Sequence, residues 1–285
     1  SAADIEAVRA AAAEQGKQPF IIAKIERTDA LENFDEILEA ADGIMIARGD
    51  LGVEVPIEEM AVLQKKLTAQ TNLAGKPVII ATQMLESMTT NRLPTRAEST
   101  DVANAILDGT DCIMLSGESA MGDYPEEAVA MLAKIANHSE SHRPQARRDQ
   151  LMAVANRRLP DTAPEAIAAV AEHALELVPC TAVFVPAHTG TTARMISHFK
   201  PPAWIIAVSE DEQVCRGLAF TYGVHAVHVE RVPDNWSEFA RTWLAERKIE
   251  GWLAMLVTGP HEQNQDADYQ FHFIRIGERP STDTS

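Results

Sequence analysis

Three charged side chains have a spacing that could support chemistry. Lys24 and Glu26 lie two residues apart in the apolar stretch FIIAKIE, so on a strand they point to the same face. Asp50 follows the next apolar stretch, GIMIA at 43–47. Because parallel strands bring their carboxyl ends to one edge, the two carboxylates could bind one hard divalent cation, with the Lys24 ammonium beside it. From these residues alone, a buried structural ion pair remains the alternative.

Polar residues also follow two later apolar stretches. Thr82 comes directly after PVIIA at 77–81, and the run Ser-Gly-Glu at 116–118 comes directly after CIML at 112–115. A threonine in such a place is most simply a helix cap. Thr82 is of interest because the four successive strands are expected to end at the same edge of the sheet. Polar groups would follow each strand there and form one rim.

The elements that would position these groups alternate between short apolar strands and amphipathic helices. This alternation predicts parallel β/α units with a sheet covered on both faces. A polar, basic stretch with two prolines at 143–162 predicts a domain junction. A second α/β pattern follows, with an open and mostly parallel sheet whose strands are expected at 181–186, 204–209, 225–229, 252–257 and 271–276.

Composition excludes several classes of protein. The 285 residues carry a formal net charge of −17, which argues against nucleic-acid and anionic-membrane partners because both need a cationic surface. No apolar run approaches the roughly 18 residues of a membrane span. Cys112, Cys180 and Cys215 are far apart and form no CxxC pair, which favours a reducing, cytoplasmic location.

Longer motifs in the first half resemble pyruvate kinase. IIAKIERTDALENFDEILEAADGIMIARGDLGVEVP, GKPVIIATQMLESM and PTRAESTDVANAILDGTDCIMLSGESAMGDYPEEAV are similar to the later part of that family's catalytic barrel, and the likeness continues more weakly further on. The resemblance implies an α/β protein. Residues 1–142 would form the last four β/α units of a TIM (β/α)8 barrel, 143–162 the junction, and 163–285 a separate open α/β C-terminal domain.

The resemblance also implies a reaction, the transfer of a phosphoryl group from phosphoenolpyruvate to ADP, which gives pyruvate and ATP. Lys24 would stabilise charge on the phosphoryl group, and Glu26 and Asp50 would hold Mg²⁺ or Mn²⁺. The Gly49 backbone would seat the substrate carboxylate, and Thr82 would lie where the enolate is protonated. Arg-Gly-Asp at 48–50 would then be a strand-end metal site and not a cell-adhesion tripeptide.

The match leaves a gap, because a closed barrel of this kind needs about 250 residues. The first four strands, the small lid domain, an arginine that contacts the phosphate and the ligands for the expected K⁺ would lie outside this chain. The helix cap at Ser1 favours a fragment of a larger enzyme over a shortened relative. We therefore expect the isolated chain to be inactive and the full-length enzyme to be a homotetramer.

A glycine-containing loop, PAHTGTTAR, opens the second domain's first βα connection. Thr189, Gly190, Thr191 and Thr192 would stand before a helix N-terminus, where backbone N–H groups favour anions. By resemblance this loop corresponds to the phosphate-binding part of an allosteric site, with a sugar phosphate or nucleotide as effector. A simple capped turn is the alternative.

Two other functions compete with the kinase. A magnesium-dependent aldolase or lyase acting on pyruvate enolates would also place a glutamate and an aspartate on the metal, but it has less need of Lys24. A non-catalytic regulatory relative would keep the loop at 189–192 and dispense with half of the barrel.

Overall fold

The chain contains two separate β-sheets. They are seen in a computed structural model, which describes residues 1–142, 163–259 and 269–278. The chain divides into two compact units, Ser1–Arg147 and Arg148–Ser285. The predicted junction at 143–162 lies outside the described residues.

The sheet of the first unit has four parallel strands in chain order, β1-β2-β3-β4. Their apolar residues are nearly continuous, as expected for strands that are covered on both faces. In β3 every residue is buried. The strands are Ile22–Ile25 (β1), Gly43–Ala47 (β2), Val78–Ala81 (β3) and Cys112–Met114 (β4).

Helices follow each of these strands. Ser1 is the N-cap of the opening helix, as predicted, and it forms a capping box with Asp4. The apolar spacing over residues 29–41 is typical of one helix, but the structure has two helices that meet at Asn33, whose side chain donates back to the Asp29 carbonyl. The helices are Ala2–Ala13 (α1), Thr28–Glu32 (α2), Phe34–Ala40 (α3), Arg48–Glu54 (α4), Met60–Leu73 (α5), Arg96–Leu107 (α6), Gly117–Ala120 (α7) and Pro125–Glu140 (α8), with 3₁₀ turns at Ile57–Glu59 and Glu86–Thr89.

The core of the first unit lies around the two central strands. Ile46 of β2 and Ile80 of β3 are fully buried, as is Leu51 of α4. Met84 and Met88 are buried in the same cluster. This packing fixes the position of the segments that leave the carboxyl ends of β2 and β3.

The second unit contains a five-stranded sheet in the order β7-β6-β5-β8-β9. Four strands are parallel and the last is antiparallel, in agreement with the predicted mostly parallel sheet. The strands are Ala182–Pro186 (β5), Trp204–Ser209 (β6), Val224–His228 (β7), Leu253–Thr258 (β8) and Gln270–Arg275 (β9), and the helices are Ala163–Leu177 (α9), Thr191–His198 (α10), Glu212–Leu218 (α11) and Trp236–Glu246 (α12). Among the described residues, none of the helices has the length and apolar character needed to cross a membrane.

Candidate functional site

Lys24, Glu26 and Asp50 meet at the carboxyl ends of β1 and β2. Lys24 belongs to β1, Glu26 follows that strand directly, and Asp50 lies in the first turn of α4, which begins where β2 ends. The Lys24 ammonium donates to the Glu26 carboxylate and lies 3.1 Å from Asp50 Oδ2. The arrangement therefore brings one cation and two anions to a single point.

These three side chains are open to solvent. The exposed fractions are 47% for Lys24, 35% for Glu26 and 61% for Asp50. The buried structural ion pair that the sequence left open is therefore not what forms. Exposed ion pairs contribute little to stability, so the arrangement is not explained by folding.

Electrostatics keeps Lys24 and Asp50 charged. The hydrogen bond from Lys24 to Glu26, followed by the one to Asp50, raises the pKa of the Lys24 ammonium above its usual range. The hydrogen bond from Lys24 lowers the pKa of the Asp50 carboxyl below its ordinary value of 3.8. Near neutral pH Lys24 is therefore a cation and Asp50 a carboxylate that can serve as a metal ligand.

Gly49 and Thr82 form a second part of the site. The Gly49 N–H donates to Thr82 Oγ1 at 2.6 Å, and that hydroxyl lies 2.6 Å from the Ala81 carbonyl, to which it donates. N–H groups in the first turn of a helix lack partners within the helix, so Thr82 satisfies one that α4 leaves free. The expectation of a simple helix cap is wrong, because Thr82 and Gln83 have φ of +70° and +55° and no α-helix follows them directly.

Sequence reasoning missed Arg48 as part of this neighbourhood. Its side chain is only 11% exposed, and its Nη1 lies 2.6 Å from Asp101 Oδ2. Its Nη2 donates to the carbonyls of Thr82 and Gln83 at 2.9 and 3.0 Å. A guanidinium group that is largely buried does not suit a cell-adhesion loop. Since Asp101 is 53 residues further along the chain, no local pattern could have revealed the pair.

Glu118 does not belong to the solvent-facing rim on which the sequence placed the run at 116–118. The residue is 2% exposed. Its Oε1 accepts from the Leu85 N–H at 3.1 Å and its Oε2 from the Ser116 N–H at 2.7 Å. The side chain turns inward because it satisfies two backbone donors, and it braces the segments after β3 and β4.

Glu26 and Asp50 suit a hard cation. Within residues 1–142, 163–259 and 269–278, no group of three or more histidine, cysteine, aspartate or glutamate side chains could hold a metal ion. Mg²⁺ commonly binds through one or two carboxylates, with waters and substrate phosphates as its other ligands. Two exposed carboxylates at a strand edge match that pattern.

The loop at 189–192 stands between β5 and α10. Gly190 is the N-cap of α10 and has a φ of +78°. The hydroxyls of Thr189 and Thr191 lie 2.9 Å apart, and Arg194 Nη2 donates to the Thr189 carbonyl at 2.5 Å. Hydroxyls and a guanidinium group therefore border the start of α10, where backbone N–H groups point outward.

Two family models match the chain. The model for the pyruvate kinase barrel domain matches residues 1–129, and the model for the pyruvate kinase alpha/beta domain matches residues 165–259.

Individual relatives give the same result. A pyruvate kinase of Thermococcus litoralis is 58% identical over 208 residues, which are 72% of this chain and 44% of that protein. A pyruvate kinase of Dictyostelium discoideum is 46% identical over 283 residues, 96% of this chain and 55% of that protein. The crystal structure of a pyruvate kinase from Cryptosporidium parvum superposes with a TM-score of 0.87 at 35% identity, covering 97% of this chain and 57% of that one. This chain thus spans about half the length of the relatives it matches.

Proposed function

This chain belongs to the pyruvate kinase family, and we propose that it supplies part of the site at which a phosphoryl group passes from phosphoenolpyruvate to ADP. The observation that carries this proposal is the contact of the Lys24 ammonium with both the Glu26 and Asp50 carboxylates at one strand edge. The products would be pyruvate and ATP, as in glycolysis. Phosphoryl transfer relies on positioning and charge neutralisation, which a lysine and a metal-binding carboxylate pair can provide.

We propose that β1 to β4 are the last four strands of a (β/α)8 barrel. Their order follows the chain and all are parallel, as in such a barrel. The share of each relative that this chain covers supports the same view. The lid, the phosphate-contacting arginine and the K⁺ ligands would then come from the other half of the enzyme. Its full-length form would be a cytoplasmic homotetramer.

Glu26 and Asp50 would hold Mg²⁺ or Mn²⁺. When bound, the divalent cation supplies positive charge against the phosphoryl oxygens. Lys24 would add a second positive charge beside the carboxylates, and its raised pKa keeps it protonated at neutral pH. The arrangement explains how a protein with a net charge of −17 could accept a polyanionic substrate.

Gly49 and Thr82 would meet the organic part of the substrate. The Thr82 hydroxyl is held from two sides, by the Gly49 amide and the Ala81 carbonyl, so its position is defined before a ligand arrives. We propose that the Gly49 backbone seats the substrate carboxylate and that the Thr82 hydroxyl lies where the enolate receives a proton.

A regulatory function is favoured by the loop at 189–192. Its hydroxyls and Arg194 border the N-terminal end of α10, and such ends attract phosphate groups. We propose that the loop binds the phosphate of a sugar-phosphate or nucleotide effector.

Mn²⁺ binding to the 285-residue chain tests the metal site without requiring turnover. Electron paramagnetic resonance should detect one site that Asp50→Asn removes, whereas Asp29→Asn, which alters an exposed pair with Arg27, should leave it intact. Lys24→Met should strengthen Mn²⁺ binding, because it removes a cation that competes for both carboxylates. Binding that is indifferent to Asp50→Asn would refute the assignment.

A coupled assay of ATP formation tests the reaction. The isolated chain should form no ATP, since half of the proposed barrel is absent from it. When the chain is joined to four preceding β/α units, Lys24→Met should lower kcat by about a hundredfold or more, because a preorganised charge is lost. An unchanged kcat would overturn the role of Lys24.

A further inference from the structure

The Arg48 side chain connects three helices, α4, α5 and α6, next to the candidate site. Arg48 is the first residue of α4, and its Nη1 reaches Asp101 of α6 at 2.6 Å and Gln64 of α5 at 3.3 Å. Arginine is suited to such a position because its planar group offers several N–H donors in a fixed geometry. Asp101 and Gln64 therefore hold Nη1 in place. The other donors of the guanidinium group are directed towards the segment after β3.

The remaining donors of Arg48 hold the backbone at Thr82 and Gln83. Nη2 lies 2.9 Å from the Thr82 carbonyl and 3.0 Å from the Gln83 carbonyl, and Nε lies 3.3 Å from the Thr82 carbonyl. One side chain thus bonds two successive carbonyl oxygens.

Thr82 and Gln83 need such support. Both have positive φ, +70° and +55°, in the left-handed region that residues other than glycine rarely occupy. Such a backbone conformation is unfavourable for threonine and glutamine, so it persists only where the surrounding structure holds it. The left-handed turn directs the Thr82 hydroxyl towards the Gly49 amide, 2.6 Å away.

We propose that Arg48, anchored by Asp101, is a positioning residue that holds Thr82 against the Gly49 amide. It acts through the Thr82 and Gln83 carbonyls and touches no substrate itself. The relevance of this positioning to catalysis rests on the proposed function, because it assumes that Gly49 and Thr82 meet the substrate. The positioning itself can be measured without any substrate.

Hydrogen exchange of the Gly49 amide, followed by NMR on the 285-residue chain, tests the proposal. Thr82→Val removes the acceptor and should raise the exchange rate about tenfold, in line with the loss of one hydrogen bond. Arg48→Lys should approach the same rate, because Arg48 bonds Asp101 and the two carbonyls from two different nitrogens, whereas lysine has a single nitrogen without this fixed planar geometry. Amides in α1 should be unaffected in both variants, which separates a local effect from general destabilisation.

Three further variants sharpen the result. Asp101→Asn keeps an oxygen acceptor and should give an intermediate rate, and it replaces Arg48→Lys as the test if that variant fails to fold. The double variant of Arg48 and Thr82 should exchange no faster than Thr82→Val alone, because both changes break one contact. Arg92→Lys, a matched change at an arginine that is 74% exposed, should leave Gly49 unchanged.

A wild-type exchange rate at Gly49 in both Arg48→Lys and Asp101→Asn would overturn the proposal. One other combination of results would refute the proposed function but not the positioning role of Arg48. If exchange behaves as expected but Lys24→Met leaves turnover of the barrel-completed enzyme unchanged, then the positioning stands and the catalytic assignment fails.

Discussion

Replacing Glu118 by glutamine should destabilise the first unit strongly although the two side chains have the same shape. Glu118 is 2% exposed and each carboxylate oxygen accepts one backbone N–H, from Leu85 at 3.1 Å and from Ser116 at 2.7 Å. A glutamine offers only one oxygen. Whichever way the amide is turned, its NH₂ group faces one of these backbone donors.

The size of the effect follows from these two contacts. A hydrogen bond to a charged group is worth roughly 1.5–3 kcal/mol. The backbone N–H that loses its acceptor remains buried, which costs roughly 1–3 kcal/mol more. Some of these costs overlap, since the side chain can shift slightly, so we expect a loss of about 3–4 kcal/mol in the free energy of unfolding of the first unit.

Urea unfolding can assign the loss to one unit, because all four tryptophans belong to the second unit. In Glu118→Gln the midpoint followed by far-ultraviolet circular dichroism should fall while the midpoint followed by tryptophan fluorescence stays in place. Glu6→Gln, on the exposed face of α1, serves as a control and should change neither by more than about 0.5 kcal/mol. A loss below about 1 kcal/mol in Glu118→Gln would refute the bracing role, since that is less than one buried hydrogen bond.

Two other substitutions have outcomes set by the local geometry. Gly190→Ala should destabilise the second unit by roughly 2–3 kcal/mol in fluorescence-monitored urea unfolding, because φ is +78° and the new Cβ would lie 2.9 Å from a neighbouring side-chain carbon. Gly223→Ala, with φ of +64° and no atom within 4 Å, should cost only the backbone strain, about 1 kcal/mol, and equal losses in the two variants would exclude the clash. For Glu98, burial raises the pKa, but hydrogen bonds from Ser87 and Thr95 outweigh it and bring the pKa below its ordinary value of 4.5. Its stabilisation should therefore be complete above about pH 4.5 and disappear as the pH falls through the lower folded value, and Glu98→Gln should flatten that acid limb of the stability profile.

The positions of the strands could be predicted because buried parallel strands leave a strong local signal. PVIIA is apolar throughout, and the structure forms a strand over Val78–Ala81. The strand at Trp204–Ser209 has the predicted limits. The break at Asn33 could not be predicted, because the apolar positions on either side continue a helical pattern and the interruption depends on one asparagine side chain.

The site was predictable in the part that depends on strand geometry. Lys24 and Glu26 share a face because strand side chains alternate, and Asp50 joins them because neighbouring parallel strands end at the same edge. Arg48 and Asp101 were not predictable, since their contact depends on how α4 and α6 pack. The left-handed backbone at Thr82 runs against residue preference and is held by tertiary contacts alone.

Sequence position relative to a strand does not distinguish Asp50 from Glu118, although the two side chains have different surroundings. Both are acidic, both follow a strand closely, and both lie in the first turn of a short helix. Asp50 faces solvent beside Lys24, whereas Glu118 turns inward because two backbone N–H groups would otherwise lack an acceptor. The described rim therefore offers two carboxylates, from Glu26 and Asp50, where the sequence suggested three.

Two carboxylates at this edge can supply only part of the coordination of a divalent cation. Mg²⁺ and Mn²⁺ prefer about six oxygen ligands, so two carboxylates leave most positions to water and substrate. Divalent binding to the chain should accordingly be weak by itself and tighten when phosphoenolpyruvate is added, because this proposed substrate would bring anionic oxygens to the same cation. Titration of Mn²⁺ with and without phosphoenolpyruvate measures the difference, and Asp50→Asn should abolish it. If the substrate instead left Mn²⁺ affinity unchanged, cation and phosphate would not share this strand edge.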